Sequence, residues 1–137
     1  MKRSADATWV GGLKEGKGSF GVASGAIREL PFSFRTRFED APGTNPEELI
    51  AAAHASCFSM ALSAQLGERG ITPESVATRS TVTFENLTLT KSLLETTVTA
   101  PGADRAKIEE AAAAAKAGCP ISKVLKLEIV LDLKAVV

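Results

Sequence analysis

The run Asn45-Pro46-Glu47-Glu48, followed by almost unbroken small and apolar residues from Leu49 to Leu66, constrains this chain more than any other feature. Asn45 is suited to cap a helix, Pro46 to fill its first position, and Glu48, at the third, to complete a capping box. The helix is expected to run to about Gly67. Ala51, Ala52, Ala53, Ala55, Ala61 and Ala64 stand among Leu49, Ile50, Phe58, Met60 and Leu62, so it is apolar almost all round. Such a helix is expected to be central and buried, with small residues that let another helix approach closely. One small sheet can hardly cover every face of it.

The first forty residues alternate and turn like β structure. Ala7 and Trp9 precede Gly11-Gly12, Gly16-Lys17-Gly18 marks a turn, and a strand from Ser19 to Ala23 closes at Gly25. A further strand is expected from Phe32 to Phe38, with Phe32, Phe34, Thr36 and Phe38 on one face and Ser33, Arg35 and Arg37 on the other. Beyond the long helix, Val76 to Phe84 and Leu87 to Thr99 read as a hairpin split by Glu85-Asn86. Asp104 can cap an Ala-rich helix ending at Gly118, Cys119-Pro120 begins a short turn over Ile121 to Leu125, and the last strand turns Leu127, Ile129, Leu131 and Leu133 inward. The order βββ-α-ββ-α-β predicts an α+β fold over residues 1–137, one domain with mainly antiparallel sheet and two main helices.

Composition removes several function classes. Sixteen basic side chains balance 16 acidic ones, so the electrostatic footprint of a nucleic-acid binder is missing. Met1 to Gly12 holds no apolar core of a leader, and no stretch approaches the run of apolar residues that crosses a bilayer; a cytoplasmic protein without a membrane partner is expected. Two cysteines are too few for a disulfide-stapled scaffold, and with one histidine a structural zinc site is not expected.

The chemistry-bearing residues each admit a plain structural reading. Cys57, in the middle of the long helix, can be a small buried hydrophobe. Cys119 sits at a junction between helices, where backbone N–H groups of the next turn could stabilise a thiolate. His54 stands three residues before Cys57, within reach of a Cys-His nucleophilic pair, although a lone helix histidine is more often packed or hydrogen-bonded. Arg35 and Arg37 suit a solvated strand face, and Glu47 and Glu48 the first turn of a helix.

Taken together, these residues resemble a known family. Arg35-Thr36-Arg37-Phe38-Glu39, the run from Gly43 through Asn45-Pro46-Glu47-Glu48 and His54-Ala55-Ser56-Cys57 to Leu62, and Lys116-Ala117-Gly118-Cys119-Pro120-Ile121-Ser122 are similar to the OsmC/Ohr thiol peroxidases, on the OsmC side. The resemblance extends over essentially the whole chain. It implies an OsmC-like α+β fold in an intertwined homodimer. It also implies reduction of organic hydroperoxides, and of hydrogen peroxide less readily, with no bound cofactor and an external dithiol, of lipoyl type in the family, as reductant. By position, Cys57 corresponds to the peroxidatic cysteine, Cys119 to the resolving one, and Arg37 and Glu47 to the pair that holds the thiolate; Arg35 lies two residues from Arg37 on the same expected face. The family supplies no role for His54. Two other classes stay open on the residues alone: a cysteine hydrolase or acyl transferase using Cys57 and His54, and a non-catalytic ligand-binding redox sensor.

Overall fold

Alternation and glycine turns at the N-terminus build a three-stranded antiparallel sheet of β1 (Ala5–Val10), β2 (Lys17–Val22) and β3 (Leu30–Phe32), with β2 in the middle. Gly18 of β2 pairs with Trp9 on one side and Phe32 on the other, and those two rings stand 5.5 Å apart. A Cβ on Gly18 would come within 2.6 Å of the Phe32 ring, so glycine is what lets the aromatic groups of the outer strands close over the central one. The computed structural model describes residues 1–137 as two units, Met1–Leu49 and Ile50–Val137.

The strand expected from Phe32 to Phe38 ends at its first residue. Ser33 caps a short helix, α1 (Phe34–Phe38): its Oγ accepts the Thr36 N–H at 3.2 Å, and Thr36 Oγ1 accepts the Ser33 N–H at 3.0 Å. This reciprocal box satisfies two donors that an edge strand would leave to water, and it outweighs the alternation of the three phenylalanines. Arg35 and Arg37 therefore do not share a face; two helical steps turn them about 200° apart.

The long helix, α2 (Pro46–Glu68), begins where the sequence places it, with Asn45 Oδ1 accepting the Glu48 N–H at 2.8 Å. The Glu48 carboxylate accepts from the Thr44 hydroxyl at 3.4 Å. Its buried side is narrower than expected. His54, Phe58, Leu62 and Leu66, spaced by four, are enclosed, whereas Ala52, Ala53, Ser56, Ser63 and Ala64 are exposed and Met60 is 76% exposed. Within one chain the helix is thus covered on one stripe only. With 23 residues and a mean hydropathy of 1.4 over its most apolar stretch, α2 also reaches the size of a membrane-spanning helix, which the sequence reading did not anticipate. Its enclosed histidine and the packing of its inner stripe into a sheet are what a core helix shows.

That sheet consists of β4 (Ser75–Glu85), β5 (Thr88–Thr99) and β6 (Glu128–Val136), in that order. β4 and β5 form the expected hairpin, and β6 runs parallel to β5, as a return through α3 (Arg105–Gly118) and α4 (Pro120–Val124) allows. Asp104 caps α3 through the Ala106 N–H, as expected. Leu94, Val98, Ile108, Ala111 and Ala115 close with Phe58, Leu62 and Leu66 into one core that also contains Cys119. Two polar rungs cross from α2 into the hairpin: Ser59 donates to Thr78, which meets Thr96 at 3.1 Å, and His54 meets Ser92, which meets Ser80 at 3.1 Å.

Candidate active site

Helix α2 and the α3–α4 junction bring the two cysteines together. Cys57 Sγ and Cys119 Sγ, 62 residues apart in sequence, lie 2.9 Å from each other as free thiols. Pro120 ends α3 by lacking an N–H, and the new helix that starts behind it turns the backbone N–H groups of Ile121 and Ser122 toward the sulfurs. Cys119 is fully enclosed, whereas Cys57 is half-buried.

The two thiols are electrostatically unequal. Burial opposes ionisation of Cys119, but hydrogen bonds from Cys57, from the N–H and hydroxyl of Ser122 and from the Ile121 N–H outweigh it, so its pKa is lowered. Burial and the same thiol contact push the Cys57 thiol up, with the Ile121 N–H offsetting part of the rise. Every group acting on Cys57 in its own unit belongs to the Cys119–Ile121 turn, and none of them is a cation.

In the N-terminal unit, α1 and the first turn of α2 set Arg37 against Glu47. Arg37 Nη2 donates to Glu47 Oε1 at 2.8 Å, while its Nε reaches both carboxylate oxygens, at 3.1 and 3.3 Å. The Arg37 side chain is 39% exposed and that of Glu47 13%. A fork held from below by a carboxylate keeps its remaining N–H groups oriented. Arg35 instead pairs with Glu39 one turn on, at 71% exposure, where a salt bridge orients little. Beside Arg37 an open hollow of about 250 Å³ is lined by Trp9, Leu13, Phe32, Phe34 and Phe38. Of the large apolar side chains within three residues of Cys57, Phe58 is core and Met60 is exposed.

His54 does not pair with Cys57. Its Nδ1 lies 2.7 Å from Ser92 Oγ and its Nε2 2.8 Å from Ser122 Oγ, so both ring nitrogens are engaged, and burial lowers its pKa. A hydrolase using Cys57 would thus lack its base. Ser92 and Ser122 escaped the sequence reading. The signal for Ser92 was the inward register of Ser80, Ser92 and Thr96 in a hairpin whose neighbouring positions are apolar. No group of three or more histidine, cysteine or carboxylate side chains is assembled.

Such a thiol pair beside an α+β core defines a class of small cysteine-based proteins, and comparison places the chain within it. The family described as OsmC-like protein matches residues 38–134. Peroxiredoxin OsmC of Escherichia coli (strain K12) is 48% identical over 136 residues, covering 96% of this chain and 95% of the relative. Among solved structures, the organic hydroperoxide resistance protein OsmC from Legionella pneumophila superposes with a TM-score of 0.69 at 24% identity, over 98% of this chain and 97% of that one. The organic hydroperoxide resistance protein OhrB of Bacillus subtilis does so with 0.67 at 25%, over 96% and 98%. The chain belongs to the OsmC-like family.

Proposed function

We propose that this protein reduces organic hydroperoxides, and hydrogen peroxide less well, to the alcohol or water through Cys57 as the peroxidatic and Cys119 as the resolving cysteine, in defence against oxidative stress. Its membership and identity make it a peroxidase. The observation that carries the cysteine mechanism is the 2.9 Å separation of two free thiols of unequal burial. The half-buried sulfur meets the substrate, and the enclosed one waits behind it.

In this reading Cys57, whose thiol burial and Cys119 push up within its own unit, loses its proton only once Arg37 stands beside it, and the thiolate then attacks the distal peroxide oxygen, giving a sulfenic acid and an alkoxide that takes up a proton. An unperturbed thiol is only about 3% ionised at pH 7, and lowering its pKa costs part of its nucleophilicity. A cation must therefore stabilise the charge that develops on the leaving oxygen. Arg37, oriented by Glu47, would supply it, and the aromatic hollow beside Arg37 suits a hydrocarbon tail. Cys119 then closes a disulfide, which guards Cys57 against over-oxidation. An external dithiol, of lipoyl type in the family, reopens it; the protein holds no prosthetic group in this scheme. A reducing compartment, the cytoplasm, keeps the cycle running.

The partner of the site is a second copy of the chain. Glu47 and Cys57 lie ten residues apart on the unbroken helix α2, which separates them by about 15 Å along the axis and about 80° around it. Two α2 helices packed antiparallel and crossing near Ala52, where Ala52, Ala53 and Ser56 are exposed, would bring Arg37 and Glu47 of one copy to Cys57 of the other. We accordingly treat residues 1–137 as one OsmC-like domain acting in an intertwined homodimer with two shared sites.

Incubation with tert-butyl hydroperoxide and a dithiol, with peroxide loss followed over time, tests the activity. Catalytic loss requiring both cysteines is expected. Binding without turnover would make the protein a sensor, and turnover of thioesters in place of peroxides would make it a hydrolase.

A further inference from the structure

The Arg37–Glu47 fork spans two separate helices. Arg37 belongs to α1, a helix of five residues, and Glu47 to the first turn of α2, while the segment from Glu39 to Thr44 between them is neither helix nor strand. A connection of that kind does not by itself fix how two helices are set. The guanidinium stands astride the joint. Glu47 of α2 accepts from it at 2.8 Å, and the Phe38 ring of α1 faces its Cζ with the centroid at 5.3 Å. A shift of one helix against the other pulls these two holds apart.

The Asn45 side chain crosses from the start of α2 to the end of α1. Its Oδ1 accepts the Glu48 N–H at 2.8 Å, and its Nδ2 donates to the Thr36 carbonyl at 3.1 Å. An N–H can only donate and a carbonyl can only accept, so the two partners fix which end of the amide faces which. The Thr36 carbonyl is one of those that a helix leaves without a partner in its last turn, and it belongs to the peptide that leads into Arg37. Among the side chains suited to an N-cap, Asn alone sets a donor and an acceptor on two atoms of one rigid plane; Asp offers acceptors only, and Ser one short hydroxyl. Starting α2 needs only the acceptor. The donor does something else.

We infer that Asn45 is a positioning residue for peroxide attack: through the Thr36 carbonyl its amide sets α1 against α2, and so holds the Arg37 guanidinium, with Glu47, in the orientation that meets the leaving oxygen. The inference rests on the peroxidase reading, in which that cation stabilises the alkoxide. Asn45 itself makes no bond to the substrate. It decides where the donors of Arg37 point, and a displacement of about 1 Å at such a group costs up to about a hundredfold in rate.

Asn45→Ser and Asn45→Asp both keep an acceptor for the Glu48 N–H and remove the donor to Thr36, the first without a new charge and the second with one. Thermal melts should place both within about 5 °C of the wild type. In proton–nitrogen NMR spectra, exchange of the Arg37 Nε–H with water should rise about fivefold in both. In a single turnover with tert-butyl hydroperoxide, quenched with dimedone, formation of the Cys57 sulfenic acid should slow about tenfold in both, whereas disulfide closure with Cys119, which uses no cation, should slow by less than about twofold. In an Arg37→Ala background, Asn45→Ser should slow attack no further. Unchanged exchange or unchanged attack in Asn45→Ser overturns the inference, as does slowing confined to Asn45→Asp, which would assign the effect to charge. Equal slowing of attack and closure, or a full additional loss in the Arg37→Ala background, would reduce Asn45 to a helix cap. A wild-type protein that forms no sulfenic acid would overturn the peroxidase reading instead, with the Arg37 exchange still deciding whether Asn45 holds the fork.

Discussion

The two units differ in how far they finish themselves. Residues 50–137 enclose their sulfur chemistry: Cys119, His54, Ser92 and Ser122 are all buried, and each has a partner supplied by the same unit. Residues 1–49 enclose almost nothing. Every residue of β1 is exposed, Trp9 and Leu13 included in the solvent-facing set, and Arg37 lies against an open aromatic hollow. The C-terminal unit holds its two thiols in a fixed geometry, and the N-terminal unit holds the Arg37–Glu47 pair beside an open hollow. The mechanism proposed above draws on both, since a nucleophile must be held and the charge it displaces must be met.

The comparison breaks most sharply at the sulfurs. Cys57→Ser should abolish turnover with any dithiol, whereas Cys119→Ser should leave a Cys57 that consumes one equivalent of peroxide and is trapped by dimedone as a sulfenic acid. Mass spectrometry of the trapped protein decides it, and full activity in Cys57→Ser would falsify the roles. Next in size is the cation. Arg37→Ala should slow peroxide attack about a hundredfold, the typical cost of losing an oriented donor to a developing oxyanion, and Arg35→Ala by no more than about twofold. Stopped-flow rates at one peroxide concentration rank them; the reverse order would transfer the role to Arg35.

Joining the two units across copies predicts complementation. A mixed dimer of Cys57→Ser and Glu47→Ala chains keeps one site with both groups intact, and should show about half the wild-type activity while each variant alone is poor. Purified heterodimers carrying two different tags give the answer. If they are as inactive as the parents, Glu47 and Cys57 do not serve one site across an interface.

The sequence was more legible where local chemistry and packing agree. Asn45-Pro46, Asp104 and the alternation of Leu127 to Leu133 each carry a cap or a periodicity that the folded chain keeps. Ser33 misled because two signals competed within six residues: alternating phenylalanines argued for a strand, and a Ser-x-x-Thr box, satisfied locally, won. The long helix misled differently. Its apolar circumference was plain, but the chain covers only the His54, Phe58, Leu62, Leu66 stripe, and a helix apolar all round has no periodicity to say which of its faces the rest of its own chain will cover. Cys57 and Cys119 were paired only through a resemblance, because residues 62 apart in sequence carry no local sign that they meet. The serines around His54, Ser92 on β5 and Ser122 on α4, were missed because a buried hydroxyl has no pattern of its own until its partner is known.

The enclosed imidazole also sets an acid limit on the C-terminal unit. Burial holds the folded pKa of His54 below its unfolded value near 6.5, so at falling pH the unfolded chain takes up a proton that the folded chain refuses. Its neutral form therefore favours folding fully above about pH 6.5, and that advantage is lost as pH falls from there toward the folded pKa. Thermal melts at pH 7.5 and 5.0 should show a larger drop for the wild type than for His54→Gln. An equal drop would mean that other groups govern the acid response.

The smallest expected effect lies at the tip of the β4–β5 hairpin and sets the turn chemistry of the two units side by side. In the N-terminal unit Gly11, Gly25 and Gly43 take positive φ, which costs glycine nothing, although Glu29 adopts +45° as well. The hairpin turns through Asn86 at φ +49° and Leu87 at φ +58°, the paired left-handed residues of a tight two-residue loop. Asn tolerates that region, but leucine pays about 1 kcal/mol or more in contact between its Cβ and the following carbonyl, and at 79% exposure its side chain returns little by packing. Leu87→Gly relieves the contact while adding freedom to the unfolded chain, so the net gain should be about 0.5 kcal/mol, or about 2 °C in Tm. Leu87→Ala keeps the Cβ and should gain nothing. A Tm that falls in Leu87→Gly would show that the added chain freedom and the lost side-chain contacts outweigh the relieved strain at this turn.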